Sequence, residues 1–466
     1  MLLKSMKKSL LWIVVLVLSI SMVAAFSLAG CKAAAEEAVE EEAVEEAAPV
    51  EEAPAEEAAA ETTAAPVSFE GVQLKVAMID EPRERLFKEL LPEFKKLTGI
   101  DVTIDFYGFD DLYNKNITSS AAHTGEYDVY QIHFPDIALF DERGFMVDVT
   151  DWVERDWAEM EMDDIQTSLQ ESHMKYKDRY YGVPTHVGSH EFYYRTDIFE
   201  KEGYTLPKTY DDVLTLAKEI DAKYAPTTRG FVFMGRADVQ GCSTFMGFLG
   251  SYGGDFFDNY THQRPAMDSP AALKAMNTLK EIYKYSVEGS NVYSFDEGQT
   301  AFKQGKAAMI SFWDSGDNFF GDPEQSDIIG KWAIAPYPGG RTPNGGWSVQ
   351  ISADSKNAAA AWEFLKWIIS PDVEKKAVPL TPSCRTSILI DPQNSKYPSY
   401  AAFNDVLKGN PIGFPKVLPN WQIINETGAM VSSVTTGQVT PEEGLATLQK
   451  SMESIMLRYG LWDGKK

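Results

Sequence analysis

The chain has 466 residues, a formal net charge of −26, 12% aromatic residues and only three cysteines. Charge of this sign repels phosphate backbones and argues against a nucleic-acid partner. The cysteines match no metal spacing and are too few for a disulfide framework, although the sequence leaves open whether Cys242 and Cys384 pair.

The chain opens with MLLKSMKK and the apolar run SLLWIVVLVLSISMVAAF, the basic and hydrophobic regions of a secretory signal over residues 1–30. Leu28-Ala29-Gly30-Cys31 resembles the bacterial lipobox, which implies a diacylglycerol anchor on Cys31. A plain membrane-spanning helix is the competing reading, because about 17–25 apolar residues cross a bilayer. Cys31 is followed, however, by KAAAEEAVEEE rather than by a basic stop-transfer flank. Residues 31–70 are nearly all Ala, Glu and Pro, with too few large apolar side chains to build a core. They are expected to form a disordered tether, and ~35 flexible residues reach ~30–35 Å. The remaining residues exceed what one core organises, so two domains are expected.

VQLKVAMI begins an α/β pattern as a strand. Leu86, Phe87, Leu90, Leu91, Phe94 and Leu97 then recur at helical spacing until Gly99. IDVTIDFY is the next strand, EYDVYQIHF a third, and DIALFDERG a helix leading into MVDVTDW. Further on, Thr209 with Asp212 predicts a capping box ahead of Val213, Leu214, Ala217 and Ile220. Ser269-Pro270 opens another helix, AAAAWEFLKWII forms one that stops at Ser370-Pro371, and Thr440-Pro441 with Glu443 starts the last. The strand–helix alternation predicts mostly parallel sheets flanked by helices.

Six segments in order carry a family resemblance: FKKLTGIDVTIDF, YDVYQIHFPDIALFDERGFMVDVTDW, YGVPTHVGSHEFYYRTDIFEKEGYTLPKTYDDVLTLAKEI, GQTAFKQGKAAMISFW, GGWSVQISADSKNAAAAWEFLKWIISPDVEKKA and TGQVTPEEGLATLQKSMESIM. Together they resemble extracellular solute-binding protein family 1 over nearly all of residues 71–460. The resemblance implies a two-lobed periplasmic-binding-protein fold of the class II type, with the ligand in the cleft between lobes. Carried onto this chain, it places lobe 1 at 71–185 and 348–385 and lobe 2 at 186–347 and 386–466, with crossings near 184–190, 345–351 and 382–388. One residue departs from the pattern: Arg195 stands after the strand tyrosine where the family usually has asparagine.

The family's contacts come from loops at the carboxyl ends of strands, in line with the general rule for open α/β sheets. Sugars need aromatic platforms for their C–H faces and fixed donors and acceptors for their hydroxyls. In lobe 1 the resemblance therefore implies contacts from Asp80, Arg83, Phe109, His133 and Asp136, and at the first crossing from His186 and Ser189. In lobe 2 it implies Arg236, Tyr252, Asp255 and Trp313, with Trp347 at the second crossing, Arg385 in PSCRTS and Trp421 at a helix start. Asp136 reads equally well as a cap for the following helix.

The function implied is that of an extracytoplasmic lipoprotein of an ABC importer. It would capture a sugar by closing its cleft and deliver it to a membrane permease, as a monomer without cofactor or metal. His186 and His190, four apart in a strand, lack the companions of a metal site. Two competing readings are a cation, polyamine or metal chelate in the same fold, and a secreted glycoside hydrolase, which needs two carboxyls at a fixed separation.

Overall fold

The structure, a computed structural model, describes residues 68–465 apart from 259–262 and 315, and the side chains of Asp110 and His186 are likewise outside the description. The signal, Cys31 and all but the last three residues of the tether therefore lie outside the described residues. Among the described residues no helix is long and apolar enough to cross a membrane.

The first lobe is built from β1 (Gln73–Ile79), α1 (Pro82–Thr98), β2 (Asp101–Tyr107), α2 (Phe109–Ala121), β3 (Val129–His133) and α3 (Ile137–Glu142). α1 ends where Gly99, at φ 78°, takes the left-handed conformation that glycine adopts without a Cβ clash and returns its N–H to the Lys95 carbonyl. The long strand β4 (Gly182–Arg195) then carries the chain into the second lobe. That lobe comprises α4 (Tyr210–Tyr224), β5 (Arg229–Val232), α5 (Val239–Ser251), α6 (Pro270–Tyr283), α7 (Phe295–Lys303), β6 (Ala307–Trp313), α8 (Gly316–Phe320) and β7 (Trp332–Ala335). β8 (Pro343–Ile351) returns to the first lobe, where α9 (Ala358–Ile368), α10 (Pro371–Ala377) and α11 (Pro398–Lys408) follow. β9 (Ile412–Gly413), α12 (Asn420–Thr435) and α13 (Pro441–Arg458) complete the second lobe. The capping boxes form as read: Thr209 with Asp212 and Thr440 with Glu443 each exchange both hydrogen bonds.

Among the described residues nine strands form one sheet in the order β2-β1-β3-β8-β4-β6-β5, with β9 on β8 and β7 on β4, and Lys175–Tyr176 and Arg179–Tyr180 form a separate pair. Pairing is parallel within each flank. Within this sheet antiparallel pairing always involves one of the two crossing strands. β4 pairs with β8 through Gly182–Ser189 and with β6 and β7 through His190–Arg195, so the passage between lobes falls at the Ser189–His190 step.

Each lobe packs its own core. In the first, Val76, Phe87, Phe94, Val349, Trp362 and Phe364 are buried between the sheet and α1 and α9. Phe94 meets Phe364 edge-on at 5.6 Å, a contact of the kind whose truncation to Ala costs ~3–5 kcal/mol. In the second, Phe192, Phe231, Phe245, Met276, Ile423 and Met452 pack among α5, α6, α12 and α13. Cys384 belongs to the first core and Cys242 to the second, and both are free thiols.

The third crossing differs from the sequence expectation. Leu389, Tyr400, Phe403 and Leu407 lie in the first core, whereas Ile412, Phe414 and Val417 lie in the second. The chain crosses between 408 and 412 rather than near 382–388, and residues 386–408 belong to lobe 1. Apolar spacing on α11 announces that the helix is buried; it does not say against which sheet.

Candidate functional site

Four elements deliver aromatic side chains to one place where the lobes meet. β3 ends on His133, and α2 begins at Phe109 after Gly108. α12 starts Asn420-Trp421. β8 supplies Trp347 through a register shift between Gly346 and Ser348, with Gly346 at φ 133°, a conformation that tolerates only glycine. The bulge turns the Trp347 ring toward His133 and Phe109, at 5.8 and 5.4 Å between centroids. Trp421 approaches from the second lobe, 5.7 Å from both Phe109 and His133.

Asp136 closes this group. It is 1% exposed, and its Oδ1 accepts from Asn420 Nδ2 and from Trp421 Nε1, both at 2.7 Å. Asp136 stands on the first lobe and both donors on the second, so these bonds span the seam. Burial pushes the Asp136 carboxyl up to about 7, and the two donors offset only part of that shift. Burial also holds His133 neutral, with its pKa lowered to about 3, and its Nδ1 has no hydrogen-bond partner. Tyr113 is pushed up to about 12 by burial and then by the Asp136 charge. The group encloses a cavity of about 10 Å³, the room of one water molecule.

Of the side chains expected from sequence, the structure brings together Phe109, His133, Asp136, Trp347 and Trp421. Tyr113, Phe414 and Asn420 join them and were not anticipated. Tyr113 stands one helical turn after Phe109 and so shares its face, the one signal that could have found it.

Other expected contacts lie elsewhere. Arg83 is fully buried, paired with Glu374 and bonded to Thr381 Oγ1 at 3.2 Å. Arg385, also fully buried, donates to the carbonyls of Ile369 at 2.7 Å and Met160 at 2.8 Å. Every one of these partners belongs to the first lobe, so both arginines hold that lobe together rather than facing a ligand. Tyr252 donates to Asp211 and Thr278 within the second lobe, and Asp255 accepts from Arg341 at 2.5 Å. Asp80 and Arg236 form exposed pairs with Arg85 and Asp238. Trp313 lies against the crossing strands, its ring edge-on to His190 at 4.3 Å and close over Gly345, where a Cβ would approach it to 2.5 Å. Ser189 is buried on β4 and its hydroxyl has no partner. The side chain of His186 is outside the described set.

Rings that present flat apolar faces beside a buried acceptor suit a small polar solute with C–H faces. No group of three His, Cys, Asp or Glu among the described residues could hold a metal ion.

Three relatives set this geometry in context. A solved ABC transporter solute-binding protein from Agrobacterium radiobacter K84, in complex with ribitol, superposes with a TM-score of 0.73 at 27% identity, covering 84% of this chain and 100% of that one. A probable amino-acid ABC transporter periplasmic-binding protein of Sinorhizobium fredii is 23% identical, over 85% of this chain and 92% of its own length. The erythritol/L-threitol-binding protein of Mycolicibacterium smegmatis is 24% identical, over 66% of this chain and 69% of its own. The model of the bacterial extracellular solute-binding protein family matches residues 80–375, and the chain belongs to that family.

Proposed function

We propose that this protein captures a carbohydrate, a sugar or a polyol, between its lobes and hands it to the membrane subunits of an ABC importer. The observation that carries this reading is the aromatic group at the seam, closed by hydrogen bonds from Asn420 and Trp421 to Asp136. Ring faces pack on sugar C–H surfaces, and the Asp136 carboxyl supplies an acceptor, or a donor when protonated. Relatives that bind ribitol and erythritol support the same solute class. Membership of a solute-binding family speaks for a binding role rather than catalysis.

Small-molecule pockets run to about 300–1,000 Å³, far more than this cavity holds, so the solute enters only when the lobes part. The crossings at Ser189–His190, at Gly345–Trp347 and after Lys408 are where a hinge would act. Closure then carries Trp421 back onto the bound ring. The lipid anchor on Cys31 and the Ala/Glu tether complete the proposal, holding the lobes near the permease.

A thermal-shift panel of sugars and polyols tests the solute class, because a ligand of the folded state raises its melting temperature. A hit should be accompanied by compaction in small-angle scattering. Trp421→Ala should weaken it by ~1–3 kcal/mol, about 5- to 150-fold in Kd, as loss of a stacked ring does. A tight ligand whose affinity ignores Trp421→Ala would move the site elsewhere. Anchoring is tested by labelling with a fatty acid, whose incorporation Cys31→Ala should abolish.

A further inference from the structure

A second set of polar groups, Asp314 and Glu191 buried and Asp317 partly exposed, stands where α8, just after β6, meets the first lobe. Asp317 Oδ2 accepts from the Ser399 N–H at 3.0 Å, and Asn318 Nδ2 donates to the Leu380 carbonyl at 3.0 Å. Ser399 and Leu380 belong to lobe 1, so these contacts also bridge the seam. Asp314, 3% exposed, packs on the crossing strand where Gly188 leaves room: a Cβ there would come within 2.5 Å of Asp314 Oδ1. Glu191, 2% exposed on β4, accepts one bond from the Tyr193 hydroxyl at 3.0 Å through Oε2.

What remains unpaired here is all capable of accepting. Glu191 Oε1 and Asp317 Oδ1 have no hydrogen-bond partner. Nor have the Ser189 hydroxyl, on the same face of β4 as Glu191, or the Asn344 Oδ1, opposite Ser189 in register. Burial, then the facing Asp317 and Asp314, push Glu191 well above the usual carboxylate range, and burial raises Asp317. The deeply buried cations of the fold are engaged elsewhere: Arg83 with Glu374, Arg385 with backbone carbonyls, and Lys416 with the Glu171 and Lys175 carbonyls.

Buried carboxylates are costly unless an opposite charge or several donors meet them. A neutral hydroxyl fills an acceptor but leaves the charge. A bare metal ion does not fit, since no described trio of ligands is close enough to hold one. An ammonium group brings three divergent donors and a positive charge together. We propose that the captured solute carries a protonated amine, as an amino sugar or amino polyol does, and that Glu191 and Asp317 receive it at the seam. The inference rests on the carbohydrate reading above and narrows it.

The test is isothermal titration of the full chain with matched pairs: glucosamine and glucose, galactosamine and galactose, mannosamine and mannose, glucamine and sorbitol. N-acetylglucosamine and putrescine complete the panel. At least one amine should bind tenfold or more tightly than its neutral parent, with the preference erased by N-acetylation. Glu191→Gln and Asp317→Asn should each cut that preference to under threefold while the neutral parent changes little. Should Glu191→Gln fail to fold, the partly exposed Asp317→Asn and the selectivity of the unaltered protein still decide the matter. Neutral sugars that bind as tightly as their amines, or a preference that survives both substitutions, overturn the inference and leave the carbohydrate reading standing. Putrescine binding without any sugar overturns the carbohydrate reading and the amino-sugar inference that rests on it, leaving only recognition of the amine, and a panel in which nothing binds overturns all three.

Discussion

Asp136 and Glu374 are two carboxylates that water scarcely reaches, and their surroundings divide them. Glu374 sits inside lobe 1 with the Arg83 guanidinium and the Ser383 hydroxyl, both supplied by the same lobe. Asp136 has only neutral donors, Asn420 and Trp421, and both come from the other lobe. The first arrangement holds whether or not the lobes meet. The second exists only while they are together, so Asp136 senses closure and Glu374 does not. A buried charge neutralised within its own lobe is framework, and one completed across the seam is a candidate for function.

The sharpest way to break this division is Glu374→Ala. It leaves the Arg83 charge buried without its partner, which costs ~3–5 kcal/mol in comparable cases. The denaturation midpoint should fall accordingly, while solute affinity per folded molecule stays within about twofold. The double variant Arg83→Met, Glu374→Leu should recover most of the loss, because an apolar pair of similar volume replaces a buried ion pair at little cost. A large drop in affinity with unchanged stability would place the pair in the site after all.

Asp136→Asn gives a smaller effect with a distinctive pH signature. The folded pKa of Asp136, about 7, lies above its ordinary 3.8. Its contribution is therefore complete below about pH 4 and is lost as pH rises through about 7. His133, His173 and His190 run the other way, each lowered from 6.5 to about 3 by burial. Their contribution is complete above about pH 6.5 and is lost as pH falls toward 3. Removing the Asp136 carboxyl should thus raise the melting temperature at pH 8 by ~2–4 °C, narrow that gap at pH 5 and close it below about pH 4, and steepen the overall fall on acidification. A gap independent of pH would show that Asp136 does not titrate in the closed form.

How much of this was legible follows from the range of each signal. Periodicity and caps are local, and they located β1, α1 and the helices after Thr209 and Thr440. Phe109, His133 and Trp421 could be singled out because each stands at the end of an element, and Trp347 because it falls at an expected crossing, where the fold family places its contacts. Arg83, just past β1, and Arg385, in PSCRTS at an expected crossing, stand out on the same local grounds. What reassigns Arg83 is Glu374, 291 positions away, and what reassigns Arg385 is a set of carbonyls from Met160 and Ile369. Pairings of that range leave no trace in spacing. The third crossing was misplaced for a related reason, since Tyr400, Phe403 and Leu407 read as buried without naming their lobe.

Arg236 offers the mildest probe of the same division. The sequence places it among the ligand contacts, yet its side chain is 52% exposed and paired with Asp238, which also caps α5 by accepting from the Gln240 N–H at 2.8 Å. Arg236→Ala leaves that cap intact, so stability should change by at most about 1 kcal/mol. Solvent screens an exposed pair, and the difference should vanish at about 0.5 M salt. Affinity should stay within about twofold, because an arginine engaged with its neighbour two residues on has no need of a solute. A tenfold loss of affinity would mean that Arg236 leaves Asp238 when solute arrives. The line between framework and site would then be drawn by which partner a charge prefers in the loaded protein, and exposed pairs at the rim would have to be judged by titration alongside buried ones.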